Sequence, residues 1–206
     1  MIRKESSDGI GYSVVELNDV RHVFASAVPR QGDTLDQQTH DALRTIAAVI
    51  EEEGTLGSIV KQSVFLKDID QLETCRQIMR DFYGEELPAT TYIPQPPCDG
   101  RLVQVEALGV GRGLGEVDIE RYSERLVVTR HNGVDWVHLA HIFPETTATG
   151  VYDRSYDIFQ LAAKGLQTRQ FRYDQVIRTW LYLGDIVGPE GETQRYKELN
   201  RARTDF

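Results

Sequence analysis

The run VQVEALGV places Gln104 and Glu106 on alternate positions of one short strand, so both side chains face the same way. A carboxylate there can orient or activate water, whereas an amide only exchanges hydrogen bonds and is no base near neutral pH. A second strand-like run, IVKQSVFL, offers Ser63 and Phe65. Cys98 lies in a proline-rich loop; nucleophilic work needs a base and a lowered pKa, and no histidine lies near it in the chain. Arg101, three residues on, could reach a carboxylate from that loop, although a solvated charge at a turn is the commoner use of such a residue. His138 and His141 are three apart, which on a strand turns them to opposite sides and prevents them from sharing an ion. No metal site is expected, and His138, which shares a face with Trp136 and Ala140, is expected to pack with its ring hydrogen-bonded. GVGRGLG follows a strand but leads into a charged segment, so it reads as a linker and not a dinucleotide loop. Glu51, Glu52 and Glu53 read as a solvated run at a helix end.

These groups need elements to hold them. Val14–Leu17 and His22–Ser26 are short β-type runs around the turn signal Asn18-Asp19. Leu35, Thr39, Ala42, Ile46 and Val49/Ile50 recur at helical spacing, with Asp33 or Thr34 to cap the helix and Gly54 and Gly57 to end it. Ile59–Leu66 is a buried strand, and Leu72, Cys75, Ile78/Met79 and Phe82 line a second helix that Gly84 stops. A turn-rich stretch holding Pro88, Pro94, Pro96 and Pro97 leads to a last strand over Leu102–Val110.

The order then recurs. VKQSVFLKDI, ending in Asp68-Ile69, matches IRTWLYLGDI, ending in Asp185-Ile186, and the helix from Asp36 matches one from Asp153 at the same offset. Asp81-Phe82 matches Asp205-Phe206 once the Gly188-Pro189-Glu190-Gly191 loop is allowed for. Two copies of one supersecondary unit are expected, over residues 1–112 and 113–206, joined by Gly111–Gly115. The second lacks a counterpart of the first copy's closing strand, so either the polypeptide is longer or another chain supplies it.

Tyr12-Ser13, VFASAVPRQGD, IVKQSVFLKDIDQLE, Phe82-Tyr83-Gly84, Leu87-Pro88-Ala89 and VQVEALGV, in this order and spacing, resemble the Rid family, also called YjgF-like or the L-PSP group. The resemblance covers about residues 9–112. It implies an α+β domain of the chorismate-mutase-like type, one mixed sheet with two helices on one face, assembled as trimers with small-molecule pockets between subunits. The family's imine deaminases hold a substrate carboxylate with an arginine after Pro-Ala and handle water with a glutamate on the last strand. Here Thr90 stands at the first position and Gln104 at the second, so standard imine hydrolysis is not expected. Ala27 replaces a glycine that approaches ligand in the family. Tyr12, Ala27, Ser63, Phe65, Cys98, Arg101 and Glu106 are the expected pocket lining. The second half, with VIRTWLYLGDI and RYKELNRARTDF, resembles the first domain of chorismatases.

Composition narrows the partners. The 206 residues carry a net charge of -9; residues 1–112 hold 18 acids and 11 bases, a balance of -7. With no basic stripe, nucleic acid is an unsuitable partner. No apolar run reaches the roughly 18 residues of a membrane helix, and MIRKESSDG has no signal-peptide core, so a cytoplasmic location is expected. Cys75 and Cys98 form no CxxC pair, and no cofactor is implied. The reading is a divergent small-molecule-binding protein or hydrolase for a carboxylated or aromatic metabolite, working as a trimer or pseudo-trimer. The alternatives are a non-catalytic assembly module, a chorismatase-like hydrolase, and an imine deaminase active despite its substitutions.

Overall fold

Asn18 and Asp19 both adopt left-handed φ, 45° and 64°, the conformation that lets a two-residue turn follow the right-handed twist of a hairpin. That turn joins β2 (Ile10–Leu17) to β3 (Val20–Ala27) in the computed structural model, which describes residues 2–54, 59–112 and 116–206. Gly57 and part of the expected Gly111–Gly115 linker lie outside the described residues. Strand β1 (Ile2–Ser7) pairs antiparallel with β2, Ile2 opposite Val15 and Ser7 opposite Ile10. Its polar sequence, IRKESS, carries no alternation that would mark it as a strand.

Helix α1 (Leu35–Glu52) starts at a capping box. Thr34 Oγ1 accepts from Gln37 N–H at 3.2 Å, and Gln37 Oε1 accepts from Thr34 N–H at 3.4 Å. Strand β4 (Ile59–Leu66) and helix α2 (Leu72–Tyr83) follow, and Gly84, with φ 56°, ends α2. The proline-flanked stretch contains a strand, β5 (Ala89–Ile93), before β6 (Val103–Arg112). The six strands run β1-β2-β3-β6-β4-β5, antiparallel except for β4 with β5. The fold is α+β, a mixed sheet with α1 and α2 on one face. Val23, Ala25, Val64, Val103 and Val105 of the sheet pack there with Leu43, Ile46, Cys75 and Met79 of the helices. The opposite parity of each strand makes an open face without helices.

A three-stranded antiparallel sheet, β7 (Asp118–Ser123), β8 (Leu126–His131) and β9 (Val134–Leu139), covers one end of that open face. Asn132 and Gly133, with φ 54° and 72°, form the turn between β8 and β9, an Asn-Gly pair suited to a two-residue hairpin turn. Val127 and Ala140 join Val20, Val60, Ala89 and Val110 in a second core. The same segment shields the β5 edge, since Thr90 N–H donates to Glu124 O at 2.8 Å and Tyr92 N lies 3.4 Å from His141 Nδ1. By packing, the chain therefore divides after His141, into 1–141 and 142–206. The boundary expected at 112/113 falls between β6 and β7, and β7–β9 pack on the first sheet.

Within residues 142–206, α3 (Val151–Gln167) packs on α4 (Arg195–Asp205) through Val151, Phe159, Leu199 and Ala202. A short hairpin, β10 (Pro189–Glu190) and β11 (Thr193–Gln194), precedes α4. VIRTWLYLGDI, expected as a strand, forms none. Its alternation survives, with Leu181 and Leu183 turned to the helices and Trp180 and Tyr182 exposed. What it lacks, among the described residues, is the pair of neighbours that β5 and β6 give β4.

Candidate functional site

On the open face, strand register gathers polar groups far apart in sequence. Glu106 on β6 lies opposite Ser26 on β3 and Ser63 on β4. Gln104, two residues along, lies opposite Phe65 and donates from Nε2 to Ser26 Oγ at 3.2 Å. Leu108 lies between Phe24 and Lys61, and Thr91 of β5 lies beside Ser63. The Glu106 carboxyl is held above its ordinary pKa because it is partly desolvated on the sheet, and nearby Lys61 offsets this in part. Phe24, 45% exposed, adds an apolar wall. The arrangement can hold a small polar molecule between a carboxyl, an amide, two hydroxyls and a lysine, and Glu106 is the one of these with the chemistry of a water-handling base.

Of the residues expected at a site, Ser63, Phe65, Gln104 and Glu106 come together here. Tyr12 and Ala27 occupy the other parity: Tyr12 lies opposite Ala25 with its hydroxyl donating to Glu5 Oε2 at 2.8 Å, and Ala27 is buried in the helix-side core. Thr90 also turns to the helix side. It is buried, accepts from Gln62 Nε2 at 3.0 Å and donates to Pro88 O at 2.8 Å. Cys98 is exposed in its loop, and Arg101 donates to Arg30 O at 3.2 Å with Asp99 3.8 Å away. Ser26, Lys61 and Phe24 were not anticipated. The alternation in HVFASA and in VKQSVF was available as a signal, but only register shows that it converges on Glu106.

Two expectations for single residues are corrected. Glu53 is not solvated: it is buried, its carbonyl accepts from Arg21 Nη1 at 2.7 Å, and its carboxylate lies 3.9 Å from the same guanidinium. His138 is not hydrogen-bonded through Nε2, which is buried without a partner. Among the described residues, no group of three or more His, Cys, Asp or Glu is arranged to hold a metal ion, and no helix is long and apolar enough to cross a membrane.

The family model for Endoribonuclease L-PSP matches residues 21–109, the segment that runs from β3 to β6 and carries every residue of the open-face cluster. Over that stretch the chain is similar to the Rid (L-PSP) family. RutC family proteins of Pyrococcus abyssi and Pyrococcus horikoshii are 31% identical to the chain over 81 residues, 38% of its length. The matched stretch spans 62% and 63% of those relatives' own length. Among solved structures, a YjgF/YER057c/UK114-family member of Mycobacterium tuberculosis is 24% identical with a TM-score of 0.41, covering 48% of this chain and 85% of its own. A Rid-family protein of Yersinia pestis gives 24% and 0.40, with coverages of 47% and 83%.

Proposed function

We propose that the Rid-like domain binds a small carboxylated or aromatic metabolite on its open face, without the family's standard imine hydrolysis. The observation that carries this reading is the convergence of Glu106, Ser26, Ser63, Gln104 and Lys61 on the one face that neither helix covers. Lys61 supplies the positive charge for a carboxylate, and Phe24 and Phe65 supply apolar contact for a ring. Standard imine chemistry is disfavoured because Gln104 is no base and Thr90 engages Gln62 and Pro88 on the helix side. The exposed Phe24 is also suited to contact with further copies of the chain, which supports a homo-oligomer.

The test pairs an activity with a binding readout. Freshly generated 2-iminopropionate is expected to release ammonia no faster with the protein than without it. Thermal-shift screening of small carboxylates and aromatic acids is expected to find a ligand whose stabilisation Lys61→Met weakens at least tenfold in Kd and Glu106→Gln alters. Turnover at rates ordinary for the family, or ligand binding indifferent to both substitutions, would overturn the reading. Light scattering reports the assembly, and a monomer at all concentrations would remove the oligomer from it.

A further inference from the structure

We propose that the packing of β7–β9 on the first sheet is an acid-operated latch, closed while its histidines are neutral and released as they take up protons. Four of the chain's five histidines, His22, His131, His138 and His141, lie in this one interface. The fifth, His40, sits on α1 with Asp36 at 3.4 Å, a carboxylate able to accept its charge.

Register explains the gathering. Val127, Thr129 and His131 of β8 share a face with their cross-strand partners His138, Trp136 and Val134 of β9, and buried Val127 shows that this face meets the first sheet. His22 comes from β3 in the same layer, its ring centroid 5.1 Å from that of His131 and 6.3 Å from Trp136, while His131 stacks on Trp136 at 5.8 Å. His22 Nδ1, Thr129 Oγ1, His131 Nε2, Trp136 Nε1 and His138 Nε2 are all buried without a hydrogen-bond partner. Such atoms are scarce in folded proteins, and five of them lie in this one layer.

A charge formed there meets little to neutralise it. From β4 the layer receives Lys61, itself a cation, and Glu106 acts on that lysine. The backbone at Val15 of β2 and Val20 of β3 favours a proton on His22, against the larger effect of its burial. At the other end of the interface, Arg76 of α2 donates to His141 Nε2 at 2.8 Å, and Arg125 adds a second positive charge. The acids near Arg76 are Glu73 at 2.7 Å and Glu124 at 4.0 Å, and Tyr92 of β5 meets the ring of His141 edge-on. A proton on Nε2 would remove the lone pair that faces Arg76 and set two cations in contact.

Burial, then the neighbouring cations, lower His138 and His141 to about 4, and burial shifts His22 and His131 in the same direction. A histidine whose folded pKa is lowered favours the folded form fully above its ordinary value near 6.5 and loses that preference as pH falls toward the folded value. The window is therefore about pH 6.5 down to about 4. The core between the sheet and its helices contains no buried histidine among the described residues, so it lacks this sensitivity. Acid should free β7–β9 first, baring Val20, Val60, Ala89 and Val110 and the β5 edge, and so enlarging the open face.

Hydrogen exchange of the full chain, corrected for the intrinsic pH dependence of exchange, tests this. Between pH 6.5 and 4.5, peptides within 118–141 and 89–93 are expected to lose protection at least tenfold while 35–52 and 72–83 keep theirs. The double variant His131→Gln, His138→Gln is expected to move that loss to lower pH, and His40→Gln to leave it in place. Simultaneous loss across sheet and helices, or an unmoved profile in the double variant, would overturn the proposal. Should the double variant fail to fold, imidazole titration of the wild-type chain by NMR decides. All four interface histidines titrating near 6.5 with β7–β9 still protected would refute the latch, and titration well below 6.5 coincident with loss of protection would support it.

Discussion

Replacing Thr90 by arginine returns, at the aligned position, the cation with which Rid imine deaminases hold a carboxylate. In this chain the substitution is expected to destabilise the domain and to confer no activity. Thr90 is 1% exposed, and its hydroxyl links Gln62 Nε2 to Pro88 O. Gln62 in turn accepts from Tyr83 OH at 3.0 Å, and its Nε2 lies 3.5 Å from Met79 Sδ. An arginine side chain inserted here overpacks the layer under α2, which costs about 1–3 kcal/mol. Loss of the two hydroxyl bonds costs about 1 kcal/mol each. A guanidinium without a carboxylate adds a few kcal/mol more. The total, about 5 kcal/mol or above, approaches the roughly 5–15 kcal/mol by which domains of this size are stable. Urea titration should show a midpoint collapsed toward zero denaturant, and thermal scans a fall of more than about 10 °C. Thr90→Val, which keeps the shape and removes the hydroxyl, should cost only about 1–3 kcal/mol. A Thr90→Arg protein with an unchanged urea midpoint that releases ammonia from 2-iminopropionate would refute the placement of this side chain and the functional reading together.

Gly133 holds φ 72° with nothing within 4 Å of a Cβ placed on it. Gly133→Val should therefore cost about 1–2 kcal/mol through backbone strain alone, read as a urea midpoint shift with unchanged slope. A thiol reagent should modify exposed Cys98 within minutes and leave Cys75 untouched until denaturant is added, because Cys75 is buried and its pKa is pushed up to about 12. Two equivalents reacting in the native protein would contradict this. Phe206 meets Tyr173 at 4.7 Å, Tyr156 at 5.7 Å and Phe159 at 5.8 Å. Phe206→Ala should lower the stability of residues 142–206 by about 1–2 kcal/mol, detectable as faster exchange in α3 and α4.

Local chemistry made much of this fold legible. Asn18-Asp19 and Asn132-Gly133 announce their hairpins because few residues tolerate φ above zero; Thr34 and Gly84 bound their helices through groups a turn away. Strand β4 shows itself as an apolar, β-branched run, and the ordered motifs from β3 to β6 were enough to point to the family that residues 21–109 match. Strands β1 and β5 stayed hidden because IRKESS and ATTYI become strands only when β2 and β4 offer them backbone partners.

Parity and register belong to the tertiary structure. A strand's alternation states which residues share a face, but not which face the helices will cover, so Tyr12, Ala27 and Thr90 could be aligned with a pocket and still lie on the helix side. The meeting of Ser26, Lys61 and Ser63 with Glu106 follows from β6 lying between β3 and β4, a pairing no local window contains. So does the layer where His22 meets His131, more than a hundred residues later: the sequence determined that β8 and β9 would be strands, and only their packing on Val20, Val60 and Val110 decided what their histidines would touch.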